Sequence, residues 1–372
     1  MAKTTIPYGR QNVSAADRAA VDRVLRSPWL TQGPDIVEFE TALTRKTRAK
    51  FAVAVSNGTT ALHLAYIGVG LAPGDEIIVP ANTFVATANA ALYIGAKPVF
   101  ADIELTHYNL DPKELPRRLT RRTRAIAVVH FGGHPADMKP ILAFARKHRL
   151  LVIEDGAQAI GARYHGTPIG GLATAATTFS FHPVKPITTA EGGAIVTNSK
   201  TVAKRMKLLR SHGVTKNAKG WNVMTELGFN YRITDIQAAL GTSQLKQLPR
   251  FEAARRRVVR WYKRHLAGIT QIILPSEARG VRSSWHLYVI RTVAARHRDP
   301  LYRALHRNNI LANFHYPPVY SNPYYRTHGY RNIHLPNADH YVRTCITLPL
   351  HTLMTEADVR RIAGTIRSYF GG

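Results

Sequence analysis

Over its first 250 residues the chain alternates short β-branched runs with stretches of helical periodicity. The strand candidates are FAVAVS (51–56), EIIVP (76–80), KPVFAD (97–102), AIAVVHF (125–131), LLVIED (150–155), TTFSFH (177–182) and GAIVT (193–197). Between several of them lie helical patterns, such as TTALHLAYIGV (59–69) and MKPILAFARKHR (138–149). Such an alternation predicts an α/β fold with a mostly parallel sheet covered on both faces.

The pattern then changes. FEAARRRVVRWYKRHLAGI (251–269) reads as one long amphipathic helix leading into a second region. There the strand-like SSWHLYVIRT (283–292) precedes PLYRALHRNNILANFHY (300–316), and TEADVRRIAGTIRSYF (355–370) closes with a helix. The 372 residues therefore divide into a large α/β domain over 1–250 and a smaller C-terminal α+β domain over 251–372.

Charge narrows the class of partner. Lys plus Arg number 51 and Asp plus Glu 23, a net charge of +28, which favours anionic partners. The basic residues gather at 116–124, 203–219 and 254–265. No zinc-finger spacing, RNP-like strand or basic zipper accompanies them, so solvated helix faces explain them and no nucleic-acid partner is expected. No stretch approaches the length of a membrane span, and the opening MAKTTIPYGRQ has no apolar core segment. The single cysteine, Cys345, leaves no internal disulfide and fits a reducing, cytoplasmic setting.

Four segments carry the chemistry, and ligands of open α/β sheets bind at the C-terminal strand edge. In VSNGTTALHLA (55–65), Gly58 and Thr59 open a helix whose free N–H groups suit a phosphate, although an ordinary capped turn has the same letters. In VIEDGAQAIGA (152–162), Asp155 ends a very apolar strand, where a carboxylate needs a donor or a cation. It is either a structural cap or a counter-ion for a protonated ring nitrogen. In TTFSFHPVKPITTAEGGAIVTN (177–198), Lys185 follows a strand and precedes a Gly192–Gly193 turn. A lone lysine is ordinarily a solvated loop residue, but a nucleophilic lysine needs such a partly desolvated place. Ser180 stands ready for a phosphate oxygen. In ELGFNYRITDIQAALG (226–241), Asn230 and Arg232 precede a helix capped by Thr234. Lysine, aspartate and a Gly-Thr-Ser phosphate cradle together equip a site for pyridoxal 5'-phosphate, with Phe84 as a ring-stacking candidate or a core aromatic.

At these residues the sequence resembles the DegT/DnrJ/EryC1/StrS sugar aminotransferases, which have the type I fold of pyridoxal-phosphate enzymes. The resemblance runs from IPYGRQNVS (6–14) to CITLPLHTLMTEADV (345–359). Within the family, SFHPVKPITTAEGG (180–193), TFVATANAA (83–91) and SWHLYVI (284–290) look most like the branch that aminates a UDP-linked 4-keto-6-deoxy-N-acetylhexosamine for pseudaminic acid. The resemblance implies that Lys185 is the Schiff-base lysine and proton shuttle and that Asp155 holds the pyridinium. It implies Gln158 beside the ring hydroxyl, Gly58, Thr59 and Ser180 on the phosphate, and Phe84 on the ring. Asn230 would come from the other subunit of a homodimer, L-glutamate would be the donor, and Tyr8, Thr31, His315 and Tyr316 would face the UDP-sugar. Gly156 stands where the family usually has a small side chain, which would loosen the loop behind Asp155. Gln158 stands where histidine is common, and Pro317 where this branch has an aliphatic residue. The alternatives are another dTDP- or GDP-keto-sugar acceptor, or a basic nucleic-acid-binding protein that kept an inactive fold.

Overall fold

The computed structural model describes residues 4–371. Seven strands form the main sheet: β1 (Phe51–Val55), β2 (Glu76–Pro80), β3 (Lys97–Ala101), β4 (Thr123–Val129), β5 (Leu151–Asp155), β6 (Ala176–Ser180) and β7 (Gly193–Thr197). Their order is β1-β7-β6-β5-β4-β2-β3. The pairs β2/β3, β2/β4, β4/β5 and β5/β6 are parallel. The exception to the expected parallel run is β7, antiparallel to both β6 and β1. The connection over 181–192 contains no helix and returns the chain antiparallel.

Successive residues of each strand feed opposite cores, as period-two geometry requires. Val53, Val55, Ile77 and Val79 join one cluster with Leu62 and Leu64 of α3 (Gly58–Gly68) and Ala88 and Ala91 of α4 (Ala86–Tyr93). Ala52, Ala54, Ile78 and Val128 join the other. That face packs Phe39 and Leu43, within Pro34–Thr47, and Ile141, within Met138–His148. Both faces are covered, and the C-terminal ends of β1, β2, β4, β5 and β6 share one edge.

The long helix starts earlier than its amphipathic pattern suggested. It runs from Asp235 to His265, here α5, and passes through Pro249 without ending. The 250/251 position therefore lies in mid-helix. Its start is fixed by a capping box, Thr234 with Gln237, and by Asp235, whose carboxylate accepts from the amides of Gly33, Asp35 and Ile36. Its second half enters a third core. There Val258, Val259 and Tyr262 meet β8 (Tyr288–Thr292), β9 (Cys345–Leu348) and Val359, Ile362 and Ile366 of α6 (Glu356–Tyr369). Residues 283–287, expected in the strand, are irregular. They dock instead on the main sheet's edge, where Ser284 N and Leu287 N donate to Gly133 O (3.0 Å) and Gly132 O (3.2 Å).

Candidate active site

The sheet edge collects the chemistry. Ser180, Gly193 and Val55 lie in one register row across β6, β7 and β1. Asp155 is one strand over, paired with Thr178. Lys185 sits on the loop from β6 to β7. That loop is pinned by Phe181 N to Gly192 O (2.8 Å), Thr189 N to Phe181 O (2.9 Å) and Lys185 N to His182 O (2.9 Å). Its amine is partly buried, and burial lowers its pKa to about 8, with Asp155 acting in the opposite sense.

Asp155 is buried. Its Oδ2 accepts from Thr87 Oγ1 at 2.6 Å and its Oδ1 from Ala157 N at 3.1 Å. No cation lies within ion-pair distance of it among the described residues, and the Lys185 amine is the cation whose charge it favours. The loop behind it is not loosened by Gly156. Gly156 N donates to Thr178 O at 2.8 Å, and a Cβ there would lie 3.0 Å from both Thr178 O and the Phe179 ring. A side chain there would press on both by a few tenths of an ångström.

The phosphate candidates also converge. Asn57 caps α3 through a reciprocal box with Thr60, so the helix begins at Gly58 with Thr59 following. A Cβ on Gly58 would fall 2.8 Å from Ser180 Cβ, which brings the helix start against the end of β6. This is a cradle that a side chain would fill. Ser56 N donates to Tyr231 O at 2.9 Å, which lays the Asn230–Arg232 loop on the end of β1. Asn230 itself is exposed.

Gln158 is buried between two segments, its Oε1 accepting from Gly132 N (2.6 Å) and its Nε2 donating to Tyr316 OH (3.1 Å). Phe84 is 54% exposed, so it is not a core aromatic, and its ring centroid stands 5.9 Å from that of Tyr316. His315 packs against Tyr8 (5.6 Å between rings), and its Nδ1 meets Thr347 Oγ1 at 2.9 Å. Burial, with Lys185 adding to it, lowers His315 to about 4, so it is neutral. Burial raises the Tyr316 phenol, with Tyr8 and Asp155 adding to it. Thr31 is exposed and bridges Thr234 at the start of α5, just past the Asn230–Arg232 loop. A separate cavity around His107, His134 and Tyr164 is lined by none of these residues.

Two residues of this constellation have no strong sequence signal. Thr87 lies in the alanine-rich run of α4 and reads as core, yet it is the only side-chain donor to Asp155 among the described residues. Asn82, 1% exposed, accepts from Tyr316 N at 3.1 Å. A buried asparagine just past a strand end was its one available mark. The arrangement suits a cofactor with a phosphate, a carbonyl that a lysine can attack and a protonated ring nitrogen that a carboxylate can stabilise.

Comparison with known proteins agrees with this chemistry. Residues 11–367 match the model of the DegT/DnrJ/EryC1/StrS aminotransferase family. GDP-perosamine synthase of Caulobacter vibrioides is 40% identical over 359 residues, 94% of each chain. The Helicobacter pylori aminotransferase PseC, involved in pseudoaminic acid biosynthesis, superposes with a TM-score of 0.95 at 33% identity, covering 99% of both chains. A Streptococcus pneumoniae putative sugar aminotransferase, Spr1654, solved in PLP and PMP forms, gives 0.93 at 30% identity over 98% of both.

Proposed function

This chain belongs to the DegT/DnrJ/EryC1/StrS aminotransferase family, whose members depend on pyridoxal phosphate, and from that premise we propose that it moves an amino group from L-glutamate to a UDP-linked 4-keto-6-deoxy-N-acetylhexosamine. One observation carries the catalytic part: a lysine with a depressed pKa shares a sheet edge with a buried carboxylate that has no cation partner.

The bound cofactor supplies an electron sink for the carbanion formed at the donor's α-carbon. The residues supply the rest. Lys185 would hold the cofactor, and its amine would take the proton off the donor's α-carbon. Both tasks need the neutral amine, whose fraction the lowered pKa raises. Asp155, oriented by Thr87, would favour the protonated ring nitrogen. Gly58, Thr59 and Ser180 would hold the phosphate, with Phe84 at the ring and Gln158 on its hydroxyl side. Tyr8, His315 and Tyr316 line the acceptor side, with His315 as a neutral hydrogen-bonding group.

The homodimer is part of the same reading. Trp221, Met224 and Leu227 are 71%, 67% and 80% exposed, close in sequence to Asn230. A second copy covers them and brings its Asn230 to the phosphate end. The likeness to PseC supports a part in pseudoaminic acid biosynthesis, for which the sequence resemblance implies a UDP-linked acceptor, and the likeness to GDP-perosamine synthase supports a GDP-linked one as second reading. Absorbance of the loaded enzyme decides between them. Glutamate should bleach the yellow band, and the correct nucleotide keto-sugar should restore it. Restoration by the GDP-sugar alone would move the acceptor to the second reading, and a protein that forms no yellow band would overturn the role of Lys185.

A further inference from the structure

Strand β5 ends on two carboxylates, Glu154 and Asp155, whose side chains leave opposite faces of the sheet. Asp155 belongs to the candidate site. Glu154 is 0% exposed, and the transamination reading gives it no task. Its Oε1 accepts from Thr174 Oγ1 (2.7 Å) and Thr177 Oγ1 (2.6 Å), and its Oε2 meets His130 Nε2 at 2.9 Å. No lysine or arginine lies within ion-pair distance of it among the described residues.

His130, equally buried, fixes the direction of these bonds. Its Nδ1 lies 3.1 Å from Ala136 N, which can only donate. Nδ1 is therefore the bare nitrogen, and Nε2 carries the proton that points to Glu154. Donors from three neighbouring strand segments thus converge on one buried carboxylate: His130 just past β4, Thr177 within β6 and Thr174 just before it. A fully satisfied network of this kind holds a single geometry, whereas apolar side chains of similar volume would fill the space with less desolvation cost. The same histidine reaches the candidate site by two routes. Its amide donates to Asp155 O at 3.2 Å. Its carbonyl accepts from Gly133 N at 3.1 Å, closing the turn whose Gly132 N donates to Gln158 Oε1 at 2.6 Å.

We propose that His130 and Glu154 are positioning residues, which through this one network set where Asp155 and Gln158 stand against the cofactor ring. Both side chains lie on the far side of β5 from the Asp155 carboxylate. This role rests on the transamination reading and adds two residues to it. A carboxylate serves a ring nitrogen only at hydrogen-bond distance, and a displacement of about 1 Å at such a group costs about a hundredfold in rate. Loosening the end of β5 should therefore slow the proton removal that Asp155 supports, without weakening the capture of glutamate.

The first test needs no cofactor. In nitrogen-15-labelled protein at neutral pH, the histidine signal that disappears in His130→Gln should show its proton on Nε2. A proton on Nδ1 would reverse the network and overturn the proposal. The second test compares variants of the loaded enzyme well below their melting temperatures. His130→Leu and Thr177→Val each remove a donor to Glu154, and the nearly isosteric Thr177→Val remains informative if His130→Leu does not fold. Bleaching of the yellow band at saturating glutamate should slow about a hundredfold in His130→Leu and about tenfold in Thr177→Val. Half-saturating glutamate should change by less than about twofold. His130→Gln keeps one donor and one acceptor and should recover most of the rate. Lower melting temperatures with unchanged bleaching rates would mean that the network only holds the fold, and would overturn the positioning role. In an Asp155→Ala background Thr177→Val should slow bleaching no further, because its effect passes through Asp155. A second tenfold loss there would overturn that route. A wild-type protein with no yellow band would instead overturn the transamination reading, with the His130 tautomer unaffected.

Discussion

A lysine amine with its ordinary pKa of 10.5 is almost fully protonated at neutral pH and cannot attack a carbonyl. Burial lowers Lys185 to about 8, which raises its neutral fraction at neutral pH to about a tenth. The sign of the consequence for stability follows from proton counts. Between about 8 and 10.5 the unfolded chain keeps the proton on this lysine and the folded chain does not. The unfolded state therefore binds more protons, and stability rises with pH across that window. Lys185→Met removes this group from both states. The difference in unfolding free energy between wild type and Lys185→Met, both without cofactor, should change with pH in favour of wild type from about 8 upward. Denaturant titrations at pH 7, 8.5 and 10 check it, and a flat difference would show that the amine is not desolvated. At this scale Lys185 and Asp155 were legible because charged types at apolar strand ends demand a reason. Thr87 was not: a threonine among alanines has the same letters whether it packs in a core or donates to a carboxylate. Glu154 was hidden too, one letter before Asp155 and buried on the opposite face of the same strand.

At the scale of elements, strand limits read from β-branched runs agree with the observed ones to within two residues, because both faces of this sheet are buried and composition alone marks them. The long helix is where local rules misled. Proline removes an amide donor and crowds the preceding turn, so LPRF at 248–251 reads as a break. Tertiary packing holds the helix through it. Leu245 and Leu248 before Pro249 and Phe251 just after it are buried in one core, and Val258, Val259 and Tyr262 further on in another, while Pro249 itself is exposed. The helix is thus a rigid link between the sheet and the C-terminal core, and the proline opposes it locally. Pro249→Ala should therefore stabilise the protein, by about 1–3 kcal/mol at a site with no other demand for proline. Thermal or denaturant unfolding measures it. A loss of stability would mean that restriction of the unfolded chain by Pro249 outweighs the strained turn. Segment 283–287 failed for the opposite reason: its strand-like letters are spent on docking against Gly132 and Gly133 rather than on a ladder.

For the molecule as a whole, the three basic runs largely dissolve into ion pairs and solvated faces. Arg117 and Arg118 meet Glu114, Arg122 meets Glu76, Lys207 and Arg210 share Glu40, and Arg256 meets Glu277. What stays unsatisfied in one chain is apolar surface beside Asn230, and that bears on how a complete site is assembled. If Asn230 serves the phosphate of its own chain, each copy is self-sufficient. If it serves the other chain, every site needs Lys185 from one copy and Asn230 from its partner. Two inactive variants separate these cases. Lys185→Ala and Asn230→Ala, unfolded and refolded together in equal amounts, give half of their dimers as mixed pairs. In the shared arrangement one site of each mixed pair has both residues intact, and the other lacks both. Such a mixture should recover about a quarter of wild-type turnover per site. In the self-sufficient arrangement each site of the mixed pair lacks one residue, and turnover stays at the sum of the separate variants. The recovered fraction therefore reports the arrangement directly. Recovery should also vanish with Leu227→Asp in both chains, because a charge placed in the exposed apolar patch prevents the copies from meeting. Recovery that survived Leu227→Asp would place the subunit contact on another face.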